Sequence, residues 1–548
     1  MVLKKLIIFG LVLFNLALST IATSAWADDK TSLDKKTAKC DPYTTSTCLD
    51  NYLGENFITR FLNYYKLEMG HSAAPINPDT LSSHREGWPI TPQSTPPMPF
   101  TEWPYGATTA IGVSRPNSVD SPFMVGIGNT SAGTWLQKKH IQIYGWLNGG
   151  GNISTNTVKP GGNIPMGYLY TPNTVQLDQA VLYMERVPDT VQTSHIDWGF
   201  RLSGLYGETY RYTTAYGFAS NQLLNNNAVY GYDFPMVYGE LYIPQVAEGL
   251  LFRLGRYISI PDIEAQLAPN NYMYSHSMTY TFDNYTNEGL VGSLAVTKNF
   301  ILQLGLVEGT DTAIWNAGKE VVNPNPNPLY PNTTFLKDPG ATPSAVACAR
   351  VTWNNGNDTF YPCMDGINNG VWGYNNLQWY GFTFYHKFND RWHISYEIYS
   401  VHQNNVANLN NPTAAAAIAS GGTPFSPQYI PFNAPNAAQC NSSSDLTCTA
   451  RSMGTVAYIN YQFSPLDNIS FRPEFYDDKE GQRTGTKTRY LNFGLGWQHW
   501  LSPQIELRPE IDFDYALDKD AFNGNANAGI HPDKRYTVLG AMDLIMHF

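Results

Sequence analysis

The chain ends on YTVLGAMDLIMHF, residues 536–548. Tyr536, Val538, Gly540, Met542, Leu544, Met546 and Phe548 share one parity, while Thr537, Asp543 and His547 fall on the other. A period of two over this length predicts a β-strand with one apolar face and one partly wet face. A terminal strand finishing on a bare aromatic suits a membrane barrel, where the last strand closes the cylinder and its aromatic sits at the interface. The plain alternative is a sandwich-core strand that happens to end on Phe.

The opposite terminus supplies an address. Residues 1–27, MVLKKLIIFGLVLFNLALSTIATSAWA, join Lys4 and Lys5 to an apolar run and an Ala25-Trp26-Ala27 cleavage site, which reads as a secretory signal peptide. No later stretch offers the roughly 18 apolar residues of a spanning helix. Charged residues make up 14% of the chain, and Tyr numbers 36 and Trp 13. A soluble domain carries roughly a quarter charged residues. Export, no spanning helix, few charges and many interfacial aromatics favour a transmembrane β-barrel in the cell outer membrane. The acidic balance, 34 basic against 45 acidic residues, excludes a nucleic-acid binder.

The 6 cysteines fall in local couples, Cys40 with Cys48, Cys348 with Cys363 and Cys440 with Cys448. In an exported chain they read as loop-stapling disulfides outside the strands, although spacing alone leaves connectivity open. No CxxC occurs, which disfavours zinc.

Residues 28–135 are expected to form an N-terminal extension, either periplasmic or a plug in the lumen, with a disordered leader as the alternative. Within it GENFITRFLNYYKLEMG predicts a short helix with Phe57, Ile58, Phe61, Leu62 and Tyr65 on one face. A Pro-rich strap follows, from Pro75 to the WPYG at Trp103. From residue 136 to 548 alternation hardly stops. HIDWGFRLSGLYG puts Ile196, Trp198, Phe200, Leu202 and Tyr206 against Asp197, Arg201 and Ser203. LQWYGFTFYHKF and RWHISYEIYSV flank a tight turn at Asn389-Asp390. Short links, such as Leu501-Ser502, Ser464 to Asp467 and near Lys298, alternate with long ones, and the two longest hold Cys348/Cys363 and Cys440/Cys448. Short periplasmic turns and long external loops are the barrel pattern. The expected class is all-β: a transmembrane antiparallel β-barrel of about 16 strands with a largely non-strand N-terminal extension.

One repeat stands out. ISFRPEFYDD and IELRPEIDFDY place Arg472, Glu474, Arg508 and Glu510 inward, because a lipid-facing Arg costs about 2–4 kcal/mol near the midplane. Pro473 and Pro509 sit mid-strand, and a bulge is expected at each. Arg201 and Arg253 also point inward. These six charges are candidate pore-lining residues, with a stiffening salt-bridge lattice as the rival reading. The third external loop, ISIPDIEAQLAPNNYMYSHSM, carries Asp262 and Glu264. By analogy with diffusion porins they would form one side of a constriction facing the inward arginines.

No HExxH, GxSxG or GxxxxGK[ST] occurs. His195, His386 and His393 read as structural, and the NNGND at Asn354 is a weak calcium pattern. The expectation is therefore no enzyme, no catalytic residue, no metal and no cofactor.

With these segments in hand, the chain resembles the OmpL-like β-barrel porin family of Gram-negative outer membranes. The resemblance rests on WPYG at Trp103, DTVQTSHIDWGFRLSGLYGETYRYTTAYG from Asp189, GRYISIPDIEAQLAPNNYMYSHSM from Gly255, YHKF at Tyr385 and the repeated RPE. It implies a channel for passive diffusion of small polar solutes or ions, and brings no agreed ligand or catalytic residues. Phe548 resembles the address read by barrel-insertion machinery. The expected partners are outer-membrane lipid, small polar solutes and that machinery, with a homotrimer open beside a monomer. The rivals are an outer-membrane enzyme or adhesin acting through its loops, and a secreted carbohydrate-binding β-protein.

Overall fold

The alternation builds a cylinder. The computed structural model describes residues 46–68 and 121–548, apart from 225, 227, 259–261, 322–335, 372–375, 390, 420–436, 465–466, 503 and 526–528. Among the described residues, 16 antiparallel strands close into a barrel. The first eight are β1 (Ile141–Ser154), β2 (Val175–Arg186), β3 (Asp197–Gly207), β4 (Val237–Ile243), β5 (Leu250–Ile258), β6 (Thr286–Thr297), β7 (Phe300–Thr310) and β8 (Ser344–Trp353). The rest are β9 (Asp358–Ile367), β10 (Gln378–Lys387), β11 (Trp392–Ala407), β12 (Thr447–Ser464), β13 (Asp467–Asp478), β14 (Thr488–Ser502), β15 (Ile505–Ala516) and β16 (Tyr536–His547). Each pairs with its neighbours in sequence, and β16 returns to β1, with Trp146 opposite His547 and Ser154 opposite Leu539. Closure leaves no unpaired edge for the bilayer to strand.

Parity decides which side chains meet lipid. Trp198, Leu202, Leu254, Leu304, Phe471 and Leu544 are exposed on the outer face, whereas Arg201, Ser203, Arg253, Arg472 and Asp543 are buried inside. Turns at the Phe548 end are short, as between Thr297 and Phe300, while the other end carries the long connections.

Several expectations need correction. Cys348 and Cys363 do not staple an external loop: they face one another in β8 and β9 and form a disulfide across that hairpin. The outward positions of β8 include Ala345, Ala347 and Ala349, and those of β9 include Pro362 between Phe360 and Met364, so neither strand shows a plain apolar alternation in the sequence. Cys440 and Cys448 are also bonded, and Cys448 belongs to β12. Cys40, the signal peptide and the Pro-rich strap lie outside the described residues.

The prolines make no bulge. Val456 opposite Glu474 and Ile459 opposite Phe471 keep one register across Pro473, as do Gly496 opposite Glu510 and His499 opposite Leu507 across Pro509. A missing N–H costs a ladder bond but inserts no residue.

The N-terminal helices are α1 (Ser46–Leu53), α2 (Phe57–Glu68), α3 (Pro122–Ile127) and α4 (Ser131–Lys138). They gather at the short-turn end. Tyr65 donates to the His547 carbonyl, and Ser121 Oγ donates to the Ile143 carbonyl at 2.8 Å. The buried face of α2 differs from the expected one: Arg60, Tyr64 and Leu67 are covered, while Ile58 and Leu62 are exposed. Arg60 turns inward because its guanidinium binds the Val125 and Gly54 carbonyls and Asp50.

Candidate functional site

Strand alternation lines the interior with charge, and register pairs much of it. Arg201 on β3 lies opposite Glu185 on β2, with Nη2 2.6 Å from Oε2. Arg253 on β5 lies opposite Glu240 on β4 at 2.5 Å. The Tyr238 ring packs beside both guanidinium groups, 4.0 Å from that of Arg253. These charge-assisted pairs run along the wall. Wall glutamates therefore hold both Arg201 and Arg253.

That loop folds inward. Ile263, Met273, Tyr274, Ser275 and Met278 are all buried inside the barrel. Both RPE copies grip its backbone. Arg508 Nη1 donates to the Ala268 and Asn271 carbonyls at 2.6 and 2.9 Å, while Glu510 accepts the Tyr274 and Ser275 N–H groups, each at 2.9 Å. Arg472 Nη1 donates to the Ser275 carbonyl at 2.8 Å, while Glu474 accepts the Met278 and Thr279 N–H groups at 3.0 and 2.5 Å. Each arginine also keeps a wall carboxylate: Arg472 pairs with Asp512 at 3.0 Å and Arg508 with Asp543 at 2.5 Å. The repeat thus presents a cation and an anion to two successive pieces of irregular backbone, whose polar groups need partners once buried.

The loop reaches across the lumen as well. Gln179 on β2 donates to the Gln266 carbonyl and accepts the Ala268 N–H, at 2.6 and 3.1 Å. On another wall, Glu397 of β11 accepts the Ile263 N–H at 2.9 Å. Glu264 accepts from Ser277 N and Tyr458 Oη, at 3.0 and 2.6 Å, and lies 3.7 Å from Arg472. Asp262 sits instead beside Asp283 and Glu397, with ligand-capable atoms of all three within 4.8 Å of one another.

Sequence reasoning missed the glycines that admit the loop. A Cβ at Gly150 would stand 2.4 Å from Tyr274 Cζ, one at Gly496 2.7 Å from Met273 Cγ, and one at Gly454 2.9 Å from Thr279. Inward parity was their available signal. It also missed Arg350, buried on β8 and in no ion pair among the described residues. The histidines are held locally: His393 Nε2 lies 2.6 Å from Tyr272 Oη, His386 bonds Asp358, and exposed His195 lies 3.0 Å from its neighbour Ser194 Oγ.

A model of the family described as "Putative beta-barrel porin-2, OmpL-like" matches residues 140–548. No curated protein matches. Among solved structures, the outer membrane channel DcaP of Acinetobacter baumannii is 8% identical over 74% of this chain and 97% of its own, with a TM-score of 0.44. The anion-selective porin from Comamonas acidovorans is 10% identical over 74% of this chain and 99% of its own, with a TM-score of 0.42. OmpT of Vibrio cholerae is 7% identical over 74% and 97%, with a TM-score of 0.37. Nothing about solute or selectivity follows from likenesses this distant.

Proposed function

From a chain that belongs to the OmpL-like β-barrel porin-2 family, we propose a diffusion pore whose limiting aperture lies between the inserted third loop and the barrel wall. The protein is an outer-membrane porin, and solutes pass it by passive diffusion. The constriction reading rests on one observation: the loop is buried in the lumen and clamped there by the RPE repeat.

Arg472, Glu474, Arg508 and Glu510 act in this reading as loop anchors, so they set pore shape before they set pore charge. Arg201 and Arg253 stiffen the wall through their glutamates. Asp262 and Glu264 belong to the aperture's loop side. Small polar solutes suit a passage lined by hydroxyls, amides and compensated charges, and a channel of this kind involves no catalytic step. The helices at the short-turn end favour a periplasmic extension over a plug. The exposed apolar belt suits outer-membrane lipid, Phe548 would serve the insertion machinery, and a homotrimer is the assembly to test by size.

The test is single-channel conductance of detergent-folded protein in a planar bilayer, compared with a variant whose residues 263–283 are replaced by a short Gly/Ser linker. The expected result is stable open steps that grow larger in the variant. Equal steps would remove the loop from the constriction, and silence from folded wild-type protein would remove the open pore.

A further inference from the structure

We infer that the carboxylates of Asp262, Asp283 and Glu397 form a calcium site that ties the inserted loop to the barrel wall. Two of the residues flank the loop in sequence, one near its entry and one near its exit, while the third stands on β11. Their ligand-capable oxygens all lie within 4.8 Å of one another. Calcium takes oxygen ligands at about 2.3–2.6 Å, so two oxygens on opposite sides of one ion stand about that far apart.

The oxygens themselves point to a missing ligand. Asp283 Oδ1 accepts the Asn284 N–H at 2.8 Å, and Glu397 Oε2 accepts the Ile263 N–H at 2.9 Å. Asp283 Oδ2 and Glu397 Oε1 have no hydrogen-bond donor, although Asp283 is 0% and Glu397 2% exposed. Glu397 thus has one oxygen fixed by backbone and the other without a donor, while the Asp283 carboxyl also stands within hydrogen-bond reach of the Asp262 carboxyl. A buried carboxylate oxygen without a partner is costly, and two facing a third acid are costlier. Burial foremost, helped by neighbouring carboxylates, holds Asp262 and Asp283 well above the usual carboxylate range. A bound divalent cation reverses that balance, because its charge outweighs every local term.

Charge around the site fits a cation. Glu264 and Asp365 weigh on Asp262, and the nearby Arg483 spends its donors on the Phe282 and Asp283 carbonyls. Calcium is preferred to magnesium because magnesium demands a near-ideal octahedron and gives up water reluctantly, whereas calcium accepts an irregular set of carboxylates. This inference concerns loop anchoring and does not depend on the conductance reading.

The test is calorimetric titration of chelator-stripped, detergent-folded full-length protein with calcium chloride, with magnesium chloride as the comparison. The expected result is one saturable calcium per chain, with weaker magnesium, and at least a tenfold loss of calcium affinity in E397Q and in D283N. Heat-modifiability on gels checks that each variant is folded. Should E397Q fail to fold, D283N, on the loop, carries the test alone. Calcium should also raise the heat-modifiability midpoint of the wild type and leave that of the variants unmoved. No saturable binding, or binding unchanged in both folded variants, overturns the site and leaves a proton shared between the aspartates.

Discussion

Gly494 lies on β14 directly between Arg472 on β13 and Asp512 on β15. A Cβ there would stand 2.6 Å from Asp512 Oδ1 and 2.8 Å from Met273 Cε, so the glycine is what lets Arg472 reach across a strand. Replacing it by Val should push the ion pair apart and displace the loop. Overpacking of this kind costs about 1–3 kcal/mol, and the heat-modifiability midpoint should fall accordingly, while an unchanged midpoint would mean the clamp has slack. The FGLGWQ sequence declared a strand but not this role, because parity tells which way a residue faces and not what arrives from a distant loop. Arg350 illustrates the converse: its strand went unread in the sequence, and only the interior shows an inward cation in no ion pair among the described residues, while Arg201 and Arg253 on other strands are paired. Arg350→Ala should move the reversal potential toward cations. A single fixed charge interacts with an ion by about 1 kcal/mol at close approach in water, or roughly fivefold in permeability ratio, and an unshifted potential would place Arg350 away from the ion path.

The elements that alternated strongly in sequence are the ones found. β3, β13, β15 and β16 carry large apolar residues on one parity, and their inward and outward faces come out as that pattern requires. β8 escaped because its outward alanines leave little contrast between the faces, and β9 because Pro362 sits in the middle of its run. The RPE repeat was visible as a repeat, yet its partner is irregular backbone, which leaves no pattern in the sequence to match. If the clamp holds the loop, Glu474→Ala with Glu510→Ala strands the N–H groups of Tyr274, Ser275, Met278 and Thr279. A buried donor left unmade costs about 1–3 kcal/mol, enough to populate a detached loop. The double variant should still form a heat-modifiable barrel, with noisier and larger conductance steps and new protease cuts between residues 262 and 285. A loop that stays resistant would assign the anchoring to Gln179, Glu397 and the remaining wall contacts.

At the scale of the molecule, everything depends on one seam. Gly145 on β1 exchanges both backbone bonds with Phe548, N–H to carbonyl and carbonyl to N–H, each at 2.8 Å. The last residue is thus the final rung of the ladder that the terminal alternation foretold. Tyr65 of α2 reaches the same place by donating to the His547 carbonyl, so the N-terminal helices lie against the seam and not merely near it. A side chain at Gly145 would meet the Val181 carbonyl at 2.0 Å and the Phe548 ring at 2.8 Å. Two backbone bonds contribute only about 1 kcal/mol apiece in water, but in a bilayer an unclosed seam bares the polar edge of β1 and β16, each unsatisfied group costing several kcal/mol. Gly145→Val should therefore cost far more than its local contacts: the heat-modifiable fraction should collapse, while Leu544→Ala on the lipid face of β16 should fold at close to wild-type yield. Equal folding of both variants would show that the barrel tolerates an open rung at its base, and that closure is carried by the register from Trp146 to Ser154 alone.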